Sequence, residues 1–208
     1  MRPALCEDAL RLGRILGELA PLEPEVHGLV ALMEIQASRA RARVGPEGDP
    51  ILLLNQNRAR WDQLLIRRGL AALDRAEKLD RTRGWYTLQA AIAACHARAL
   101  TAEATNWPRI VELYGDLARL TPSPVVELNR AVAVGMASGA AAGLELVDAL
   151  VAQGSLDGYH LLPSVRGDLL WKLGRPEEAR AEFERAAELT RNAREREFLL
   201  DRASACSG

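Results

Sequence analysis

The sequence predicts an all-α fold of stacked helical hairpins, and three observations carry that prediction. The first is a repeat. Ile110, Tyr114, Leu117 and Leu120 recur as Leu144, Asp148 and Val151, and again as Ala179, Phe183, Ala186 and Leu189; the first step is 34 residues and the second 35. The second is composition. Apolar residues make up 49% of the chain but aromatics only 4%, so the core is built mainly from Ala, Leu and Val, whose small size lets helices approach closely. The third is helical periodicity, interrupted by Pro and Gly, along almost the whole length.

A period near 34 residues, each unit holding two helix-length segments, is the signature of a tetratricopeptide-like array. One hairpin cannot bury its apolar face alone, so stacking dictates the architecture. The expectation is a right-handed α-solenoid of about ten helices forming a single domain over residues 1–208. Within it, 1–106 form an irregular part with a loop at 44–58, 107–190 carry clear repeats, and about 193–203 form a capping helix. Such arrays present grooves to other proteins and seldom catalyse.

Taken in order, helical patterns run from Ala4 to Ala20 and from Pro24 to Arg43, with Pro21 and Pro24 punctuating the join. The first carries Leu5, Leu12, Leu16 and Leu19 on one broad stripe, read as its core face. Its ending, Leu16-x-x-Leu19-x-Pro21, matches Leu117-x-x-Leu120-x-Pro122, an offset of 101 residues and close to three repeats. Gly45-Pro46-Glu47-Gly48-Asp49-Pro50 reads as a turn or loop. Ile51–Leu54 and Asn55–Arg58 then read as an extended stretch across the array, or alternatively as a recognition loop. Helix resumes from Ala59 to Asp80. It follows over Gly84–Ala99, Trp107–Leu120, Pro124–Ala137, Ala140–Ala152, Tyr159–Leu173, Pro176–Thr190 and Ala193–Ala203. Gly174 supplies a left-handed helix end and Pro176 the first turn of the next helix. Asn192 with Glu195 resembles a capping box. Phe198, Leu199 and Leu200 are placed on the covered side of the last helix.

Charge and composition exclude several classes. With 27 basic and 28 acidic residues the net charge is −1, which gives no global attraction to nucleic acid or an anionic membrane. Cys6, Cys95 and Cys206 are odd in number and scattered, and no Cys/His spacing suits a metal. The expectation is therefore no cofactor, no metal, no catalytic residue, no membrane span and a cytoplasmic location. The run Leu29–Ile35, broken by Glu34, is too short to cross a bilayer.

Blocks of sequence say more than the repeat does. Leu5–Arg14, Glu23-Pro24-Glu25-Val26-x-Gly28-Leu29-x-Ala31-Leu32-Met33, Arg58-x-Arg60-Trp61-Asp62 and Leu88–Ala94 resemble one family in order along the chain. So do Pro122–Val126 with Leu128–Ala133, Tyr159–Leu162, and Leu169-Leu170-x-x-Leu173-Gly174-Arg175. They resemble the C-terminal, tetratricopeptide-like extension of extracytoplasmic-function RNA polymerase sigma factors. The resemblance covers nearly the whole chain. It implies a non-catalytic regulatory domain that contacts the sigma core, RNA polymerase or a regulatory protein and modulates transcription initiation. Two departures stand out. No segment resembles the promoter-melting region or the helix-turn-helix, so direct nucleic-acid binding is not expected. The segment before Arg58 also holds Leu54, Asn55 and Asn57 where relatives usually carry acids.

Candidate protein-binding residues follow. Asn129 and Arg130 fall on the first helix of a hairpin, where side chains often face the groove, and Asp168, Trp171 and Lys172 hold comparable positions one repeat on. Asn offers an amide and Arg a fork for a carboxylate or peptide backbone; the alternative is that the pair braces neighbouring helices. Arg58, Arg60 and Trp61 are residue types common at interface hot spots. The alternative is Trp61 packed in the core, with Arg60 and Asp62 as charges at a helix start. His160 lacks a recognisable nucleophile or carboxylate partner and is read as structural. The rival to a sigma-factor role is a free-standing adaptor whose groove binds a peptide of an unrelated protein.

Overall fold

A computed structural model describes residues 3–45, 48 and 51–206. The chain is all-α, with ten α-helices and no β-strand among the described residues. They are α1 Pro3–Leu19, α2 Pro24–Ser38, α3 Gln63–Leu79, α4 Trp85–Arg98, α5 Trp107–Leu120, α6 Pro124–Ser138, α7 Ala140–Gln153, α8 Leu161–Lys172, α9 Pro176–Leu189 and α10 Ala193–Ala205. Two compact units are formed, one from Met1–Arg109 with Arg119–Thr121 and the other from Ile110–Ala118 with Pro122–Gly208. No helix among the described residues is long and apolar enough to cross a membrane.

In the first unit α2 is the central helix, packed against α1, α3 and α4. That explains why its sequence is apolar around most of its circumference, the pattern of an interior helix. Ala31 and Ile35 are buried on it, and so is Glu34. Glycines permit the close crossings. A methyl at Gly28 would stand 2.5 Å from Thr87 Oγ1 and 2.7 Å from Thr87 N, and one at Gly69 would stand 2.6 Å from Ile35 Cγ1. The α4 N-terminus begins at Gly84, which has no capping side chain, so its orphan amides are met from α2. Glu25 Oε2 accepts from Tyr86 N at 2.7 Å, and Oε1 accepts from Thr87 N at 3.1 Å and Thr87 Oγ1 at 2.6 Å.

Where α1 meets α2 the packing reverses the expectation. Gly13 is buried against Met33 and Val30, and Arg14 Nε reaches Glu34 Oε1 at 2.7 Å. The stripe read as the core face points outward. Leu5, Leu12, Leu19 and Leu22 are 59–78% exposed, and Ile15 and Leu16 are also exposed. Helical period marks an apolar stripe but not which side is covered, and here the small residues Gly13 and Gly17 take the contact.

The segment after α2 is turned rather than extended. Ala40–Ala42, Leu53–Asn55 and Arg58–Arg60 are 3₁₀ turns. Asn57 Oδ1 accepts from Ala59 N at 3.0 Å, and Asp62 Oδ1 accepts from Leu64 N at 2.9 Å and Leu65 N at 3.1 Å. Asp62 thus caps α3, which starts later than Ala59 because Trp61 is needed inside. Of the turn read at Gly45–Pro50, residues 46, 47, 49 and 50 lie outside the described residues; Gly48 N donates to Gly45 O at 3.1 Å.

In the second unit α6 packs on α7, α7 on α8, α8 on α9 and α9 on α10, and α6 also touches α8. Leu144, Ala179, Phe183 and Ala186, positions of the repeat, sit in one core with Leu128, Val147, Leu170 and Leu199. Gly174 has φ +71° and closes α8, and Pro176 opens α9, as the sequence implies. Arg166 ties three helices, with Nε on Asp148 Oδ1 and Nη1 on Glu182 Oε1, both at 2.7 Å. The capping box at Asn192 is half formed. Asn192 Oδ1 accepts from Arg194 N at 3.1 Å, but Glu195 turns to Thr190 Oγ1 at 2.6 Å and His160 Nε2 at 3.1 Å. Leu199 is covered as expected, whereas Leu200 is exposed because α10 buries a narrow stripe.

Candidate functional site

Two sets of candidate residues belong to different units. In the first unit, Arg58 bridges long stretches of sequence. Its Nη1 donates to the carbonyls of His96 at 2.7 Å and Ala99 at 2.8 Å, and its Nη2 to Thr105 Oγ1 at 3.0 Å. These are carbonyls at the end of α4, where the dipole favours a cation. Trp61 is 3% exposed, so it is a core residue rather than a surface anchor. Its ring stands 5.1 Å from the Arg58 guanidinium and 5.7 Å from that of Arg39. Arg60 is exposed.

Arg39 and His96 complete this cluster and were not singled out from sequence. Arg39 Nη2 donates to Gln36 Oε1, which also accepts from Arg43 Nη2 at 2.7 Å. Burial, then the charges of Arg43 and Arg58, lower the Arg39 guanidinium to about 10. Burial, then Arg39 and Arg58, lower the His96 imidazole to about 4, so it is neutral at neutral pH. Burial also lowers Arg58, with Glu103 acting weakly the other way. Four buried nitrogens here find no hydrogen-bond partner among the described residues: Arg39 Nε, Arg58 Nε, Trp61 Nε1 and His96 Nδ1. A buried donor without an acceptor costs about 1–3 kcal/mol.

In the second unit, Asn129 is exposed on α6 and Arg130 Nε pairs with Glu127 Oε2 on the same helix at 2.7 Å. Lys172 Nζ lies 3.5 Å from Met136 Sδ, two turns along α6 from Asn129, so Lys172 and Asn129 share a face. Asp168 is tied to Arg202, whose guanidinium lies 4.3 Å from the centre of the Phe183 ring. Trp171 is 45% exposed. Since the bond of Arg130 to Glu127 stays within its own helix turn, the Asn129→Ala/Arg130→Ala double variant is expected to lose no more than about 1 kcal/mol of stability. Thermal melting checks this, and a larger loss would show that the pair braces adjacent helices.

Residues 1–77 match a family of unknown function (DUF6596). Over 195 residues, 94% of this chain, the sequence is 48% identical to an uncharacterized protein of Rhizobium meliloti (strain 1021), and the match covers 45% of that protein. The chain therefore spans less than half the length of this relative.

Proposed function

We propose that this chain is a non-catalytic, protein-docking regulatory module of an extracytoplasmic-function sigma factor, acting in the cytoplasm on transcription initiation. The observation that carries the docking role is the outward apolar stripe of α1, formed by Leu5, Leu12, Ile15, Leu16 and Leu19, with Leu22 exposed in the turn that follows. Burying a leucine is worth about 1.5–3 kcal/mol, and a contiguous row left in water is the mark of an interaction surface. The occupant is the promoter-binding core of the same sigma factor. Support for that choice comes from the blocks that resemble sigma-factor extensions, and from the relative being more than twice as long as the stretch it shares with this chain.

The test is a Leu12→Glu/Leu19→Glu variant. Both side chains already face solvent, so melting is expected to move by no more than about 1 kcal/mol. Association with a separately produced sigma core is expected to weaken at least tenfold. Unchanged association in the folded variant would overturn the docking face. The chain alone is expected to show no submicromolar affinity for promoter DNA at physiological salt, because its charge is balanced.

A further inference from the structure

A small core in the first unit is ringed by positive charge. Ala42, Trp61 and Ile66 are buried together, and Leu53 packs against them. Each of the four is flanked in the chain by residues that reach the surface: Arg41 and Arg43 around Ala42, Leu52 and Leu54 around Leu53, Arg60 before Trp61 and Arg67 after Ile66. The segments lie side by side, since Ile51 N donates to Arg43 O at 2.8 Å and Asp62 N to Ser38 O at 2.9 Å. Residues 38–70 hold seven arginines and three acids, a net charge of +4, which leaves −5 on the rest of the chain. Of the acids, Glu47 and Asp49 lie outside the described residues, and Asp62 spends Oδ1 on the first amides of α3. Elsewhere arginines meet carboxylates, as Arg14 meets Glu34, Arg83 meets Glu77 and Arg166 meets Asp148 and Glu182, all within 2.9 Å. Among the described residues no carboxylate makes an ion pair with Arg39, Arg41, Arg43, Arg58, Arg60 or Arg67, and Glu103 acts on Arg58 only at longer range. Arg39 and Arg58 stand 5.7 and 5.1 Å from the Trp61 ring, and Arg39 and Arg43 share Gln36 Oε1. Held in place, these three add positive potential to the face without touching a ligand. They also repel one another: burial, then Arg43 and Arg58, bring Arg39 down to about 10. A negatively charged partner relieves that repulsion.

We infer that this face docks a short acidic, amphipathic segment of another protein, with carboxylates at Arg41, Arg43, Arg60 and Arg67 and apolar side chains on Leu52 and Leu54. The role is separate from the α1 docking face, and neither depends on the other. Guanidinium forks match carboxylates, and complementary charge fixes the partner's sign. Leu52 is 46% and Leu54 38% exposed. Bare apolar area among cations suits a polypeptide that carries both acids and leucines, whereas a phosphate backbone offers charge alone. Length points the same way. A long polyanion runs past the face onto a remainder that carries −5 and is repelled there, and a short segment is not.

Fluorescence anisotropy on the full chain tests this with a short labelled peptide rich in Glu and Leu. The controls are the same peptide with Gln for Glu, the same peptide with Ser for Leu, and an oligothymidylate of equal charge. Saturable binding of the Glu/Leu peptide that weakens as salt is raised is the expected result. The Gln peptide is expected to bind at least tenfold more weakly and the Ser peptide at least threefold. Arg41 and Arg60 are exposed, so Arg41→Glu/Arg60→Glu is expected to keep its melting temperature and to weaken the Glu/Leu peptide at least tenfold. Should that variant fail to fold, Arg67→Glu is expected to weaken it at least threefold. The α1 variant Leu12→Glu/Leu19→Glu is expected to bind the peptide unchanged, which keeps failure of the two faces distinguishable. Equal affinity for the Glu and Gln peptides, undiminished binding by the folded arginine variants, or no binding of the Glu/Leu peptide would overturn the inference. Tighter binding of the oligothymidylate would overturn it too, by assigning the arginines to a phosphate backbone.

Discussion

Gly28→Ala is expected to lower the melting temperature by about 5–15 °C. The added methyl would stand 2.5 Å from Thr87 Oγ1, 2.7 Å from Thr87 N and 2.9 Å from Thr87 Cα. Two of these are backbone atoms, so no rotamer change relieves them, and α2 and α4 must separate. Overpacking of this kind costs about 1–3 kcal/mol. The same displacement pulls Glu25 from the amides of Tyr86 and Thr87, and loss of a cap adds about 1 kcal/mol. For a chain of this length each kcal/mol shifts melting by about 2–4 °C. Gly115→Ala in α5 is the control, since no described atom lies within 4 Å of the new methyl. It is expected to be neutral or stabilising by up to about 1 kcal/mol, because glycine is a poor helix former. Equal melting of the two variants would show that α2 and α4 do not cross as closely as described.

The second large effect lies at the seat of α1. Glu34 is 1% exposed, and its Oε2 has no hydrogen-bond partner among the described residues. Arg14 Nε on Oε1 at 2.7 Å is the ion pair that compensates its charge. Removing one partner of a buried pair costs about 3–5 kcal/mol. The Arg14 side chain is 41% exposed, so water can enter when it is cut back, and about 2–3 kcal/mol is expected for Arg14→Met. Arg14→Met/Glu34→Met removes the stranded carboxylate as well and is expected to recover most of that loss. Denaturant melts of the single and double variants measure the difference. A double variant no more stable than the single would assign the loss to packing of the arginine stem instead of to charge.

Much of the helical frame can be read from the chain because its signals are local. Pro24, Pro124 and Pro176 open helices, Gly174 closes one, and the 34–35-residue period places Leu144 and Ala179 in a core. What fails is whatever depends on a distant partner. The stripe of Leu5, Leu12 and Leu19 has the period of a core face, and only the three-dimensional position of Met33 and Val30 shows that α1 packs through Gly13. Glu195 satisfies the spacing of a capping box but is drawn to His160, 35 residues away. The Arg58 and Trp61 constellation is visible as residue types. Its completion by Arg39 and His96 is not, since the bonds from Arg58 span 38, 41 and 47 residues.

The cap that Glu25 gives to α4 reaches across 61 and 62 residues of chain. A helix whose first turn is finished by a side chain from another helix cannot complete itself early in folding, whatever its own propensity. In the second unit each helix is joined mainly to its sequence neighbour, so order can spread along the chain one hairpin at a time, with local loop closures. In the first unit the closure that matters spans more than half of that unit, and α4 and the Arg58 segment, tied by the bonds from Arg58, are expected to become ordered together. The two units are thus expected to acquire structure by different kinetics, more gradual in one and more concerted in the other.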